Sequence, residues 1–192
     1  SDTGDILFMP YTGKARTQPG TQQDPLSGYA SYYSKDNERA LPGYYEVLLK
    51  THRTKVELTA SDRVAFHRYT FPKDVEKHVM INLKDANGDD RPTDTYLEQI
   101  NDTVIRGYRY STGWSKKQQI YFSAVFSQPV HLTLYHDSVQ VAGNRLQGLD
   151  VKGNVAVAPV VEELGVKVGI SPVSMENAMD NIGQEIKDWN FE

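Results

Sequence analysis

Three alternating runs, joined by links too short for a crossover, limit what this chain can fold into. Tyr45, Val47 and Leu49 fall on one face of the first run, Val56, Leu58 and Ala60 on one face of the second, and Val64 and Phe66 on one face of the third. A period of two is the mark of a half-buried strand. The links Thr51-His52-Arg53 and Ser61-Asp62 cannot carry a parallel connection, which needs a dozen or more residues, so the three strands fold back on one another as an antiparallel meander. Such a sheet has an apolar face that needs a cover. His67, out of phase with Val64 and Phe66, is expected to face away from the core that they line.

The flanking sequence repeats the signal. A short strand is expected over 5–9, then a long loop over 10–28 that carries Gly13, Pro19, Gly20 and Pro25 and is either functional or disordered. Further strands are expected over 78–83, 103–110, 119–126, 130–136, 139–142, 155–158 and 166–170. Many short strands separated by turn signals predict an all-β fold, a large antiparallel twisted sandwich over 1–172. Ser174 then fits a helix N-cap, and Met175, Ala178, Met179, Ile182 and Ile186 form one apolar stripe at helical spacing. This helix either covers the sandwich or links it to something else. Because Trp189 and Phe191 follow it without a stop signal, 173–192 is read as a helical linker toward a further domain.

Composition narrows the function classes. A net charge of −4 and scattered Lys and Arg argue against a nucleic-acid binder, whose affinity is largely cation-driven. The absence of cysteine removes disulfides and thiolate zinc sites. No apolar run approaches the roughly 18 residues that would span a bilayer, and no signal peptide stands before Ser1, so the chain reads as a piece of a longer protein.

Few constellations carry chemistry. Asp85-Ala86-Asn87-Gly88-Asp89 alternates oxygen ligands like a calcium loop, but its glycine falls at the fourth position and Tyr96 stands where the twelfth-position glutamate should be. A solvated turn is favoured. The histidines at 52, 67, 78, 131 and 136 lack ligand spacing, and no Gly-x-Ser-x-Gly elbow supports a triad. Asn101-Asp102-Thr103 fits a glycosylation sequon of the kind that arises by chance. Asp2, Asp5, Glu46 and Glu57 are carboxylates that a glycosidase pair would require, with a solvated strand face the stronger reading for Glu46 and Glu57. Trp114, in a glycine-containing turn, either stacks on a sugar ring or plugs the end of the sandwich. Tyr32, Tyr33, Tyr108, Tyr110 and Trp114 would make an aromatic row if they shared a surface, which would suit a stand-alone carbohydrate-binding or cell-surface module.

Taken in order, several blocks resemble the amino-terminal domain of glycoside hydrolase family 92, the calcium-dependent exo-acting α-mannosidases. They are Gly4-Asp5-Ile6-Leu7-Phe8-Met9-Pro10, Tyr33-Ser34-Lys35-Asp36-Asn37-Glu38, Pro42-Gly43-Tyr44-Tyr45, Glu57-Leu58-Thr59-Ala60, His67-Arg68-Tyr69-Thr70-Phe71-Pro72, Gly107-Tyr108-Arg109, Gly113-Trp114, Gln118, Val168-Gly169-Ile170-Ser171, Ser174-Met175-Glu176-Asn177-Ala178 and Trp189-Asn190-Phe191. The resemblance implies a twisted sandwich followed by an (α/α)6 helical barrel. That barrel would hold the catalytic acid and base and the calcium ligands, and hydrolysis would invert the anomeric centre. None of those catalytic motifs lies in this chain, so no catalytic residue and no metal ligand is assigned here. Asp2 and Thr3 would be the last remnants of a segment that contributes to the sugar cleft, and with Trp114 they are the expected substrate-binding residues. The implied partners are the helical domain of the same polypeptide and mannose-containing glycans. The implied location is the periplasm or cell surface.

Overall fold

The computed structural model describes residues 6–85, 90–113 and 115–191. Within them lie strands β1 (Leu7–Thr12), β2 (Glu38–Leu41), β3 (Tyr44–Leu49), β4 (Thr54–Ala60), β5 (Val64–Thr70), β6 (Lys77–Asn82) and β7 (Arg91–Asn101). The chain continues through β8 (Val104–Thr112), β9 (Gln118–Phe126), β10 (Val130–His136), β11 (Val139–Val141), β12 (Arg145–Gly148), β13 (Val151–Val157) and β14 (Glu163–Ser171) to one helix, α1 (Met175–Glu185). The strands form a small sheet in the order β1-β6-β13-β10-β11 and a large sheet in the order β12-β7-β8-β9-β14-β5-β4-β3-β2.

The meander is antiparallel as the short links require, with Val47 opposite Val56, and Val56 opposite Tyr69. Those three side chains join Ile105, Phe122 and Val166 of the large sheet, and meet Val79, Ile81, Leu134 and Val155 of the small one, in a single core. Burial of such residues supplies the driving force for sheet pairing, about 1.5–3 kcal/mol for each large side chain.

The phase of β5 is as expected, but its faces are exchanged. His67 is paired with Leu58 and Val166 and points between the sheets, where it meets the Phe8 ring edge-on at 5.8 Å. Phe66 and Val64 point outward instead. Alternation fixes phase but not side, and here both sides are covered, so apolar residues occupy both phases of β5.

Four further departures have local causes. β1 runs on through Pro10 to Thr12, because an edge strand tolerates proline. β2 and β12 are four-residue strands too short to show alternation. The longest strand, β7, lay hidden behind a polar outer face and Pro92; that proline sits at a register shift beyond the reach of β12, so no ladder bond is lost.

The outer cover of the large sheet is α1 with the tail behind it. Ser174 caps the helix, accepting from Asn177 N at 3.0 Å. Ala178 and Ile182 are buried against β14, and buried Asn181 is satisfied by donating to Ile170 O at 2.9 Å. Beyond the helix, Lys167 Nζ donates to Ile186 O at 3.0 Å and lies 4.3 Å from the Trp189 ring centre. Phe66 meets Trp189 and Phe191 edge-on at 5.8 and 5.0 Å. Helix and tail therefore lie on the sandwich rather than apart from it.

Candidate functional site

A charged residue at a core position marks the site. Alternation in β8 turns Ile105, Gly107, Arg109 and Ser111 inward, and Arg109 is fully buried. A buried guanidinium must find acceptors for its donors. Its Nε donates to Leu83 O at 2.9 Å and its Nη1 to Asp90 Oδ2 at 2.7 Å. Since Leu83 follows β6, Arg109 ties the large sheet to the small one at one end of the sandwich. The turn after β8 is drawn to the same point, for a Cβ on Gly113 would fall 2.6 Å from Asp90 Oδ1.

Beside this tie stands a second charged group. Lys84 Nζ lies 2.8 Å from Asp150 Oδ2, and Lys152 Nζ 3.5 Å from Asp150 Oδ1. Burial pushes the Asp150 carboxyl up, but the Lys84 hydrogen bond and the charges of both lysines outweigh it and leave it below its ordinary value. Asn82 Oδ1 accepts from the N–H groups of Lys84 and Asp85 at 2.9 and 3.1 Å, and its amide donates to Asp85 Oδ2 at 2.8 Å. An open cleft of about 420 Å³ runs between Lys84, Asp85, Asp90, Arg91, Leu149 and Asp150.

An apolar pocket of about 220 Å³ opens at the same end, lined by Ile6, Phe8, Ala65, His67, Ile120 and Ile170, among others. Pairing explains the adjacency: Leu7 opposite Asn82 sets Ile6 near Leu83, and Arg109 is opposite Ile120. Burial lowers the His67 imidazole to about 4, so it is neutral and suits an apolar wall. Charged cleft and apolar pocket together form a surface able to bind and orient a polar molecule with an apolar face.

Asp2, Thr3, Asp5 and Trp114 lie outside the described residues, as does 86–89 of the calcium-like turn. The residues that flank them, Ile6 on one side and Gly113 with Ser115 on the other, arrive at this end of the sandwich. Glu46 and Glu57 come together on the outer face of the large sheet, where Tyr44 Oη lies 2.6 and 2.8 Å from them and donates its one proton to either. Arg68 holds Glu57 through two bonds of 2.9 and 2.7 Å and lowers its carboxyl to about 2, with Tyr44 and Lys55 adding to the effect against burial. A carboxylate so firmly ionised has no proton to give as a general acid near neutrality.

The aromatic row divides. Tyr32 and Tyr33 are exposed ahead of β2, at one edge of the large sheet, whereas Tyr108 and Tyr110 stand on β8 toward the other. There Tyr96, Tyr108 and Tyr110 stack on each other at 5.5 and 4.4 Å, which covers ring faces that a sugar would need. His131 and His136 are exposed on β10, while His52 and His78 both reach the ring of Tyr11.

Sequence reasoning missed Arg109, Asp90, Lys84 and Asp150 as a group. The available signal was the phase of Arg109, which it shares with Ile105 and Gly107. Among the described residues no group of three or more His, Asp or Glu is arranged to hold a metal ion. Asp90 and Asp150 are already paired with Arg or Lys, so these residues do not fit a calcium cage. No helix among the described residues is long and apolar enough to cross a membrane.

Comparison with known proteins extends beyond the site. The sequence profile described as the glycosyl hydrolase family 92 N-terminal domain matches residues 1–171. No curated protein matches the sequence. Among solved structures, the chain is similar to the family GH92 α-mannosidase BT3965 from Bacteroides thetaiotaomicron in complex with mannoimidazole, at 33% identity and a TM-score of 0.89. That match covers 95% of this chain and 25% of the other. The GH92 family glycosyl hydrolase ccman5 is similar at 24% identity and a TM-score of 0.84, over 98% of this chain and 26% of that one. The inverting mannosidase BT2199 from Bacteroides thetaiotaomicron VPI-5482 is similar at 20% identity and a TM-score of 0.77, over 95% and 24%. At these last two identities the likeness speaks to the fold alone. This chain spans about a quarter of the length of each structure.

Proposed function

Since this chain belongs to glycosyl hydrolase family 92, as its N-terminal domain, we propose that it forms one wall of a sugar-binding cleft whose reactive groups lie elsewhere in the same polypeptide. The observation that carries this reading is the convergence at one sandwich end. Ile6, the first described residue, Gly113 just ahead of Trp114, the Arg109 tie and the charged cleft all lie there. The reaction we assign to the whole polypeptide is exo-acting, inverting hydrolysis of α-1,2-mannosides, outside the cell membrane in the periplasm or at the surface. Residues 173–192 would lead to the helical domain that supplies acid and base. Calcium, with ligands in that domain, would hold the sugar there, and no step is assigned to it in this chain.

In this reading the chain's own residues bind and orient. Arg109 and Asp90 fix the turn that carries Gly113, Trp114 offers an indole face to the sugar, and Asp2 and Thr3 hydrogen-bond its hydroxyls. Trp114→Ala, and Asp2→Ala combined with Thr3→Ala, in the full-length protein test this assignment. KM for an α-1,2-linked mannobioside should rise about tenfold, equivalent to about 1.4 kcal/mol of lost uniform binding, with kcat changed less. Unchanged KM in both variants would overturn it.

A further inference from the structure

Residues 13–30 fold over the outer face of the small sheet, which carries Tyr11, His78, Met80 and Asn154. The segment closes on itself. Tyr29 N donates to Gln18 O at 3.0 Å and Ala30 N to Pro19 O at 2.9 Å, and a Cβ on Gly28 would fall 2.0 Å from Gly20 N. A loop bonded in this way can leave or return as one unit.

Each end is fastened through a histidine. At the leading end Arg16 N donates to Tyr11 Oη at 2.9 Å, Tyr11 Oη donates to Asn154 Oδ1 at 2.5 Å, and Asn154 Nδ2 donates to His78 Nδ1 at 3.0 Å. At the trailing end His52 Nε2 donates to Tyr29 O and Ala30 O at 3.0 and 3.1 Å, while its Nδ1 accepts from Thr12 N at 3.3 Å. The Tyr11 ring touches both imidazoles, stacked with His78 at 5.1 Å and edge-on to His52 at 5.9 Å.

The direction of these bonds fixes the protonation state. In both rings Nδ1 accepts from an N–H, so it is bare and the single proton sits on Nε2. A second proton on Nδ1 would set donor against donor, either at Thr12 or at Asn154. Both residues are more than nine-tenths buried, so water cannot repair that conflict without opening. Facing His78 are Tyr11 of β1, the Glu76 carboxylate at 4.0 Å from Nε2, and the Gly13 backbone. Facing His52 are Tyr11 and the carbonyls of Tyr29 and Ala30. Tyr11 itself, with Arg16 and Tyr135 nearby, is pushed by burial to about 12 and stays neutral.

We propose that residues 13–30 are an acid-released strap, unfastened at both ends when His52 and His78 take up a second proton, which carries Tyr29 away and uncovers the Tyr11 and Met80 surface. Release also removes Tyr29 Oη from the amide of Asn82, the group that holds Asp85. The event therefore reaches the charged end of the sandwich. Burial lowers both imidazoles below their ordinary value, against the pull of their backbone partners. Closure is thus at full strength above the unfolded value of about 6.5 and weakens as pH falls through it.

Hydrogen exchange read by mass spectrometry tests this on the polypeptide as its gene encodes it, at about pH 7.5 and about pH 5, with intrinsic rates corrected. Protection of 13–30 should fall about tenfold or more at the lower pH, while β9 and β14 keep theirs. A His52→Gln/His78→Gln variant, which cannot titrate at either position, should lose the difference between the two conditions. Equal protection of the wild type at both, a loss shared equally by β9 and β14, or a difference that persists in the double variant would overturn the proposal. Should that variant not fold, histidine nitrogen resonances of the wild type decide: two Nε2–H tautomers at the higher pH support the strap, and an Nδ1–H at either position contradicts it.

Discussion

Replacing Arg109 with Met is expected to lower the stability of the sandwich by about 3 kcal/mol, the lower part of the range for breaking a buried ion pair. Methionine fills much of the same volume but donates no hydrogen bond, so Leu83 O and Asp90 lose the bonds that Arg109 gives them between the two sheets. Asp90 is 20% exposed and can turn toward water, which is why the upper part of the range is not expected. Arg109→Lys should recover less than half, because an ammonium cannot reproduce the fork that reaches both acceptors. Urea denaturation followed by circular dichroism checks both. A midpoint unchanged within error in Arg109→Met would mean that the tie contributes nothing, and Leu83 and Asp90 would need another anchor.

The second large effect is expected at Gly169, where α1 crosses β14. A Cβ there would sit 2.1 Å from Ala178 O and 2.8 Å from Ile182 Cγ1, and the first of these is backbone that cannot swing aside. Gly169→Ala must therefore lift the helix, with a cost of about 3 kcal/mol and loss of protection in 174–186. The lift would also draw on the links at either side, from Ser123 Oγ to Met175 O at 2.7 Å and from Arg63 to Glu185 at 2.6 Å. Gly183 supplies the contrast, since nothing lies within 4 Å of its would-be Cβ. Gly183→Ala should leave the helix in place and raise stability by about 0.5–1 kcal/mol through helix propensity. Equal effects at the two glycines would contradict the docking of α1 on this face.

What was legible in the sequence was what is local. β3, β4, β5, β10 and β14 alternate in apolar and β-branched residues over their own lengths, and the Ser174 cap with its stripe belongs to one helix, so each could be read without its neighbours. β7 could not, because its inward residues Thr95 and Leu97 are spaced among polar ones that face solvent. His67 shows the limit of periodicity. Its phase was right and its side wrong, because the choice of side depends on which face receives the other sheet. The site was the least legible part, since Leu83, Asp90, Arg109, Gly113 and Asp150 meet only through the order in which strands pair. Pairing order is a long-range property that no window of sequence contains.

The central claim is that this chain shapes a cleft without supplying its reactive groups. Hydrolysis of an α-1,2-mannoside by the full-length protein and by residues 1–192 alone, side by side and each with and without a calcium chelator, tests it most directly. Turnover by the full-length protein that the chelator abolishes, with none by residues 1–192, is the predicted result. Turnover by residues 1–192 on their own would contradict it.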